Sequence, residues 1–303
     1  MSKEKINPRV DIAFKKIFGI EENKDLLISL INSVVGTEDQ VIDVTLLNPY
    51  NQKNFKNDKL SVLDIKAVGN HGKRFNIEIQ ITDERDYDKR ALYYWAKLYT
   101  EQLKASEDYS SLEKVIGIHL LNFTSLPQSK KYHNVFHITE KETGLTYFED
   151  LELHTIELKK FADAISGTLK EIAVKVKTAL DIWSAFLTKH ELLTQVNQLP
   201  SRLNRPELKK ALQVLDVMNF TEEEKEAYEN HLKWLRIETN TLKKAEAKGR
   251  EEGRQEGREE GRQERDREIA LKMLKEKLST KQISKLTGLS VEEIDSLQKP
   301  SKC

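Results

Sequence analysis

Two strand-like segments joined by a short glycine-containing turn constrain the fold more than any other feature. Residues 60–66 and 76–82 alternate apolar and polar side chains, and Gly69-Asn-His-Gly72 lies between them. A period of two is typical of a β-strand, and a glycine-rich segment between two such runs predicts a hairpin. Side chains alternate between the two faces of a strand, so the second run presents Asn76, Glu78 and Gln80 on one face.

Closing this hairpin symmetrically about His71 places two carboxylates opposite each other. Asp64 then pairs with Glu78, with their Cβ atoms about 4.5–5.5 Å apart. A register shift of one residue would put each carboxylate opposite an apolar face. Carboxylates this close repel unless a proton or a cation lies between them, and hard oxygen ligands suit Mg²⁺. The alternative is that Asp64 and Glu78 lie on an ordinary solvated face of the sheet.

The flanking sequence predicts a mixed α/β fold. Apolar residues at helical spacing precede the hairpin and fill 83–104, whereas 41–47, 115–123 and 135–139 have the strand period. The predicted order is helix, three strands, helix, two strands, which gives a mixed sheet between helices.

The C-terminal half has a different composition. We expect only helix from 157 to 242, and residues 248–268 contain no apolar side chain. A Gly-Arg repeat with glycines at 249, 253, 257 and 261 predicts either a marginal helix or a flexible tether, or a glycine stripe that lets another helix approach closely. The predicted divisions are 1–160, an α/β domain; 161–242, a helical region; 243–268, a charged tether; and 269–303, a short helical hairpin.

The charge balance limits how this chain binds partners. Lys+Arg and Asp+Glu are both 50, so the formal net charge is zero and any DNA binding must depend on a local basic patch. The single cysteine, Cys303, excludes an intramolecular disulfide. No apolar run approaches the ~20 residues of a membrane span, and no hydrophobic signal region follows the first residues, so we expect a cytoplasmic protein of a bacterium with no membrane partner.

Several segments together resemble a known family. Asp11-Ile-Ala-Phe14-Lys-Lys-Ile-Phe18, Asp64, Glu78-x-Gln80 and Arg90-x-x-x-Tyr94 are similar to segments of the PD-(D/E)XK nuclease superfamily. More narrowly, they resemble the Rpn family of recombination-promoting nucleases, which are often labelled transposases. Ile156-Glu157-Leu158-x-Lys160 and the Gly-Arg repeat match the same pattern.

The resemblance implies a restriction-endonuclease-like αβββαβ core and a metal-dependent DNA endonuclease. It implies Asp64 and Glu78 as ligands of Mg²⁺ or another divalent cation, Asp11 as an accessory acid, and Gln80 in the place where most of the superfamily has lysine. We expect the Ile79 carbonyl to complete the metal site. An amide cannot accept a proton, so Gln80 would only orient water, and activation would come mainly from the metal.

Basic side chains beside this site are candidates for DNA contact. Arg85, Lys89, Arg90 and Lys97 lie on or near the predicted helix after Gln80, and their alternative role is an ordinary solvated face, because acidic residues are interleaved with them. Residues 279–297 resemble a helix-turn-helix, but Glu292, Glu293 and Asp295 open the second helix, which argues against base readout and favours a packing or dimerising element.

The sequence therefore favours a metal-dependent endonuclease that hydrolyses DNA largely independently of sequence, is linked to recombination or rearrangement, and self-associates through its helical tail. The alternative is a non-catalytic DNA-associated or interaction protein on a decayed nuclease fold.

Overall fold

The computed structural model describes residues 5–48, 64–84, 86–104, 106–165, 167–194 and 198–298. The chain divides into two compact units, Met1–Leu235 and Arg236–Cys303. The strands are β1 Val44–Leu46, β2 Asp64–Gly69, β3 Arg74–Gln80, β4 Val115–Leu121, β5 His133–Thr139 and β6 Thr146–Glu157. The helices are α1 Asp11–Phe18, α2 Lys24–Val34, α3 Tyr87–Thr100, α4 Leu158–Ala164, α5 Leu169–Lys175, α6 Ala179–Leu193, α7 Pro206–Val217, α8 Glu222–Lys275, α9 Thr280–Thr287 and α10 Val291–Gln298.

The first unit is built on one mixed sheet with the strand order β1-β2-β3-β4-β6-β5. β1, β2 and β3 are antiparallel, β3, β4 and β6 run parallel, and β5 returns antiparallel along β6. The mixed sheet predicted from the sequence is confirmed.

The predicted hairpin register is also confirmed. Asp64 pairs with Glu78 and Lys66 with Asn76 in the antiparallel β2–β3 ladder. The turn needs left-handed backbone at His71 (φ 68°) and Gly72 (φ 78°), a conformation that glycine adopts without a Cβ clash. The turn chemistry and the alternation of the strands therefore fix the same pairing.

β6 is a strand that the sequence analysis missed. The sequence pattern predicts no element between residue 139 and a helix that begins at 157, yet Thr146–Glu157 lies inside the sheet, between β4 and β5. Acidic residues obscure its alternation, and their partners are distant in sequence. Tyr99 donates to Asp150 (2.8 Å), and Lys114 binds Glu152 (2.7 Å). Those contacts exist only after the sheet has formed, so no local pattern reports them.

The two faces of the sheet are covered differently. The main core joins α1, α2, α4, α6 and α7 to one face, with Phe14, Ile77, Ile118, Trp183 and Leu208 buried in a single cluster. α3 covers the other face, where Trp95 and Leu98 pack against Val115 and Leu151. The helices α4 to α7, from the predicted helical region, thus share the core of the sheet, and the first unit extends to Leu235.

The Gly-Arg repeat is helical throughout and lies within α8. The helix alternative is therefore the one observed, and the flexible tether is not. Opposite charges one turn apart offset part of the cost of the glycines, as in Glu251–Arg254 (2.9 Å) and Lys248–Glu252 (3.5 Å). A Cβ built on any of the four repeat glycines would meet no described atom within 4 Å apart from the adjoining turns of the same helix.

The end of the second unit is a pair of short capped helices. Gly288 ends α9 in the left-handed conformation (φ 76°), and Ser290 and Glu293 form reciprocal capping bonds at the start of α10. Buried Ala270, Ile283, Leu289 and Ile294 form a cluster of their own.

We expect the first unit to fold without the tail. A chain ending at residue 242 keeps the Lys16–Glu224 ion pair (2.8 Å) and the hydrogen bond from the Asn7 amide to Tyr228 (2.8 Å), while the lost segment 248–268 has no apolar surface to bury. Thermal unfolding followed by circular dichroism should remain a single cooperative transition within a few degrees of that of the full chain. A truncated protein with no cooperative transition would refute this expectation.

A buried imidazole predicts a pH dependence of stability. Burial, followed by the charge of Arg9, lowers the pKa of His190 to about 4, and its side chain is only 3% exposed. Between pH ~6.5 and 4 the unfolded chain binds this proton and the folded chain does not, so the free energy of unfolding falls as the pH falls. His190→Phe should flatten this part of the pH profile and leave the slope above pH 7.5 unchanged. Urea unfolding from pH 4.5 to 8.5 measures both slopes, and identical profiles would contradict the assignment.

Candidate active site

The polar face of the β2–β3 hairpin is buried under α3. Asn76, Glu78 and Gln80 point from β3 toward this helix and are 1%, 3% and 6% exposed. For Glu78, the alternative of a solvated face is therefore wrong. The backbone of Asp64 is paired with that of Glu78, while the Asp64 side chain lies outside the described part of the structure.

Arg90 on α3 is the cation that holds this buried carboxylate. Its Nη2 donates to Glu78 Oε1 (3.1 Å) and to Gln80 Oε1 (2.7 Å), and its Nη1 donates to Glu84 Oε2 (2.6 Å). The same guanidinium lies 5.3 Å from the centre of the Tyr87 ring. One arginine thus joins β3, the β3–α3 connection and α3.

Gln80 is held on both sides of its amide. Its Nε2 donates to Glu84 Oε1 (2.9 Å) and to the Thr82 carbonyl (3.2 Å), while its oxygen accepts from Arg90. The orientation of the amide is therefore fixed by its partners.

Two further buried groups line the site, and the sequence analysis missed both. His119 pairs with Glu78 in the β3–β4 ladder, and its Nδ1 lies 3.8 Å from Glu78 Oε2. Burial lowers the pKa of His119 to about 4 and raises that of Tyr87 well above its usual value, so we assign Tyr87 as the donor in their 2.7 Å hydrogen bond. A histidine within an otherwise apolar strand was the available signal.

Asp11, predicted from the resemblance as an accessory acid, lies within the field of these groups. Burial and then the negative charge of Glu78 raise the pKa of Asp11 to about 7. Its Oδ2 is also 3.5 Å from Nδ1 of His231. Helix α1 thus brings a second carboxyl group close enough to Glu78 for the two charges to disfavour each other.

The basic residues predicted to contact DNA differ in their surroundings. Arg90 is turned inward, as described. Lys89 is 78% exposed and pairs with Asp86 (2.9 Å), and Lys97 is 50% exposed with Glu101 at 3.7 Å. Arg85 lies outside the described residues. Lys89 and Lys97 are therefore accessible from solvent.

The Glu157-x-x-Lys160 segment anchors the loop after β4. Oε1 of the fully buried Glu157 accepts the backbone amides of Ser125 and Leu126 (2.7 Å each), and Lys160 donates to the carbonyls of Leu126 and Ser129. These contacts give the segment a structural role at the edge of the site.

The donor groups at this site suit a hard divalent cation, although no complete ligand shell is assembled. Among the residues whose side chains are described, no group of three or more histidine, cysteine, aspartate or glutamate side chains has metal-binding geometry. Even so, carboxyl groups converge at this site. Glu78 is buried, Asp64 is its backbone partner, and the charge of Glu78 contributes to the raised pKa of Asp11. A hard cation would relieve the repulsion among them. The residues present therefore fit such an ion.

Comparison with known proteins agrees with this geometry. A family model described as PD-(D/E)XK nuclease family transposase matches residues 8–245, and a model of the C-terminal HTH domain of the Rpn/YhgA-like nuclease family matches residues 263–299. Comparison with curated proteins and with solved structures gave no significant match. No helix among the described residues is long and apolar enough to cross a membrane. The first model covers most of the chain, including Asp11, Asp64, Glu78 and Gln80, and the chain therefore belongs to the PD-(D/E)XK nucleases, in the branch that carries the Rpn-type C-terminal domain.

Proposed function

We propose that this protein is a metal-dependent DNA endonuclease that hydrolyses phosphodiester bonds largely independently of sequence. The observation that carries the proposal is the buried Glu78 carboxylate. It lies opposite Asp64 in the β2–β3 ladder, and its charge helps to raise the pKa of Asp11. A purely structural role would not require acidic groups to converge in this way, because burying like charges together costs stability.

The proposed division of labour follows from the side-chain environments. Asp64, Glu78 and the Ile79 carbonyl would hold Mg²⁺ or another divalent cation, which supplies positive charge to the phosphodiester and lowers the pKa of water. Burial and the charge of Glu78 raise the pKa of Asp11 to about 7, so Asp11 holds a proton for part of the time near neutral pH and becomes an oxygen ligand or a base once that proton leaves. Gln80 is fixed by Glu84 and Thr82 and orients the attacking water without taking its proton.

Arg90 has two roles in this proposal. In the metal-free protein it neutralises Glu78 and Glu84, which lowers the cost of burying the first. With DNA bound, its fork of donors suits a phosphate oxygen beside the scissile bond. Lys89 and Lys97, exposed on the same helix, would bind the DNA backbone farther away.

The C-terminal unit would add DNA affinity without base readout. Its match to an HTH domain supports DNA as the partner, and the acidic start of α10, with Glu292 and Glu293, disfavours contact with base edges by that helix. Self-association through α8, a role in recombination and a site of action in the bacterial cytoplasm belong to the same proposal.

A second candidate function is favoured by Gln80. An amide in the place where the superfamily usually has lysine removes one cation from the site, which suits a non-catalytic DNA-associated protein on a nuclease fold. Dependence of cleavage on Mg²⁺ and on Glu78 separates this candidate from the nuclease.

Removing the Glu78 charge should abolish cleavage without unfolding the protein. In a plasmid-nicking assay with Mg²⁺, we expect Glu78→Gln and Asp64→Ala to lose about a hundredfold or more in rate, and EDTA to abolish nicking. Gln80→Ala should lose less, and Gln80→Lys should retain or gain activity. The matched control is Glu142→Gln, an exposed glutamate in the turn between β5 and β6.

Thermal melts in EDTA complete this test. Glu78→Gln should melt at the wild-type temperature or slightly higher, because the desolvation cost of a buried charge is removed while the amide can still accept from Arg90 and Arg90 keeps its ion pair with Glu84. Normal nicking by both carboxylate variants would place the active site elsewhere, and a clear loss of metal-free stability in both would make the pair structural.

DNA affinity should depend steeply on salt. Each contacted phosphate contributes about −0.9 to the slope of log K against log salt concentration for duplex DNA. The double variant Lys89→Gln/Lys97→Gln should make the slope less negative by about 1.8, the contribution of two phosphate contacts. The control double variant Lys170→Gln/Lys177→Gln, which alters two exposed lysines in and just after α5, should leave the slope close to wild type. Affinity that stays constant from 50 to about 300 mM salt would exclude phosphate contacts.

A further inference from the structure

Arg9 differs from the other cations near the site in the chemistry of its partners. Its Nη1 donates to Asn122 Oδ1 (2.5 Å) and its Nε to Asn7 Oδ1 (3.3 Å), and both acceptors are neutral amide oxygens. Among the described residues, no carboxylate oxygen lies within 4.0 Å of its guanidinium. The charge of Arg9 is therefore not neutralised by an ion pair, whereas Arg90 binds both Glu78 and Glu84.

The surroundings of Arg9 favour an anion. Burial lowers the pKa of Arg9, and the charge of Glu191 opposes this shift from beyond ion-pair distance. A guanidinium remains protonated in proteins, so Arg9 keeps its positive charge although burial makes that charge unfavourable. Nearby, Lys5 also binds neutral oxygens, the Glu191 carbonyl (3.2 Å) and Thr194 Oγ1 (2.7 Å). The fields of Arg9 and Lys5 both help to keep His190 neutral.

Arg9 is tied to the active site by two short connections. It precedes Asp11 by two residues, which limits their Cα separation to about 7 Å. Its partner Asn122 directly follows β4. The backbone N–H of Asn122 donates to the backbone carbonyl of Gln80 at the end of β3 (2.9 Å). Arg9 therefore lies at the carboxyl ends of the parallel strands β3 and β4, the edge at which open α/β sheets bind ligands.

We propose that Arg9 binds a backbone phosphate of the DNA strand next to the phosphate that is cleaved, an inference that rests on the proposed nuclease function. The acidic centre formed by Asp11, Glu78 and Glu84 repels a polyanion, and Arg90, which is shared with two of these groups, offsets only part of that repulsion. Successive nucleotides advance about 3.4 Å along a duplex, so the phosphates next to one held at Glu78 lie within several ångströms of it, a distance comparable with the Cα separation of at most about 7 Å between Arg9 and Asp11. Two of the five N–H donors of Arg9 are engaged, which leaves others for phosphate oxygens.

The test is equilibrium binding of a short DNA duplex in EDTA, where cleavage does not interfere. Arg9→Gln removes the charge and keeps an amide that can donate to Asn122. We expect about tenfold weaker binding at low salt and a salt slope less negative by about 0.9, the contribution of one phosphate contact. Arg9→Lys keeps the charge and should retain the slope.

Arg202→Met is the matched control. Its guanidinium also binds only neutral oxygens among the described residues, the carbonyls of Val174 and Val176, but it lies in the segment before α7. The same loss of net charge there should change the slope by less than about 0.3. Equal effects of Arg9→Gln and Arg202→Met would overturn the assignment of Arg9 while leaving DNA binding intact. A wild-type protein that binds no duplex at any salt concentration would overturn the proposed function and this inference together.

A measurement on the wild-type protein covers the case in which Arg9→Gln does not fold. The Arg9 Nε–H resonance, assigned with Arg9→Lys, should shift on addition of duplex DNA in EDTA, and that of Arg202 should not. An Arg9 resonance that stays in place while other signals report binding would refute the contact.

Discussion

A carboxylate buried in the middle of a sheet is the constraint on which this site depends. Glu78 is 3% exposed, and an isolated carboxylate in that position would cost several kcal/mol. The fold offsets this cost with Arg90, which reaches down from α3 and binds Glu78, Gln80 and Glu84 together. The position of α3 over the sheet and the polar character of this face are therefore linked through one guanidinium.

Burial sets the protonation of the groups around Glu78, and the charge of Glu78 adds to its effect. Burial is the larger cause and Glu78 the second in raising the pKa of Asp11 and that of Tyr87. His119 is kept neutral by burial, so the 2.7 Å bond from Tyr87 supplies a neutral donor–acceptor pair behind Glu78. Within the described side chains, the site thus holds two carboxylates paired with one arginine, Glu78 and Glu84, beside several groups that resist ionisation. A cation that binds in such a buried setting has a large electrostatic effect.

Stability and chemistry are separated between the two faces of the sheet. The face that carries Ile77 and Ile118 contributes to one large apolar core with α1, α2, α6 and α7, and this core supplies most of the burial. On the other face, β3 buries the polar side chains of Asn76, Glu78 and Gln80 in place of apolar ones. The two faces are connected at the ends of β3 and β4. There Asn122 binds the Gln80 carbonyl and Arg9, which links the edge of the site to the turn before α1.

The sequence by itself determined the hairpin, its register and the residue types at the centre of the site. Alternation along β2 and β3 and the turn at His71 suffice to pair Asp64 with Glu78, because side-chain period and turn geometry are local properties. Which cation pairs with which carboxylate depends on the tertiary structure. Arg90 turns inward to Glu78 although it has the sequence context of a surface helix, and His119 reaches the site through a parallel neighbour far along the chain. β6 could not be predicted for the same reason, since its acidic side chains are satisfied by Tyr99 and Lys114, and pairing between segments distant in sequence leaves no periodic signal in either of them.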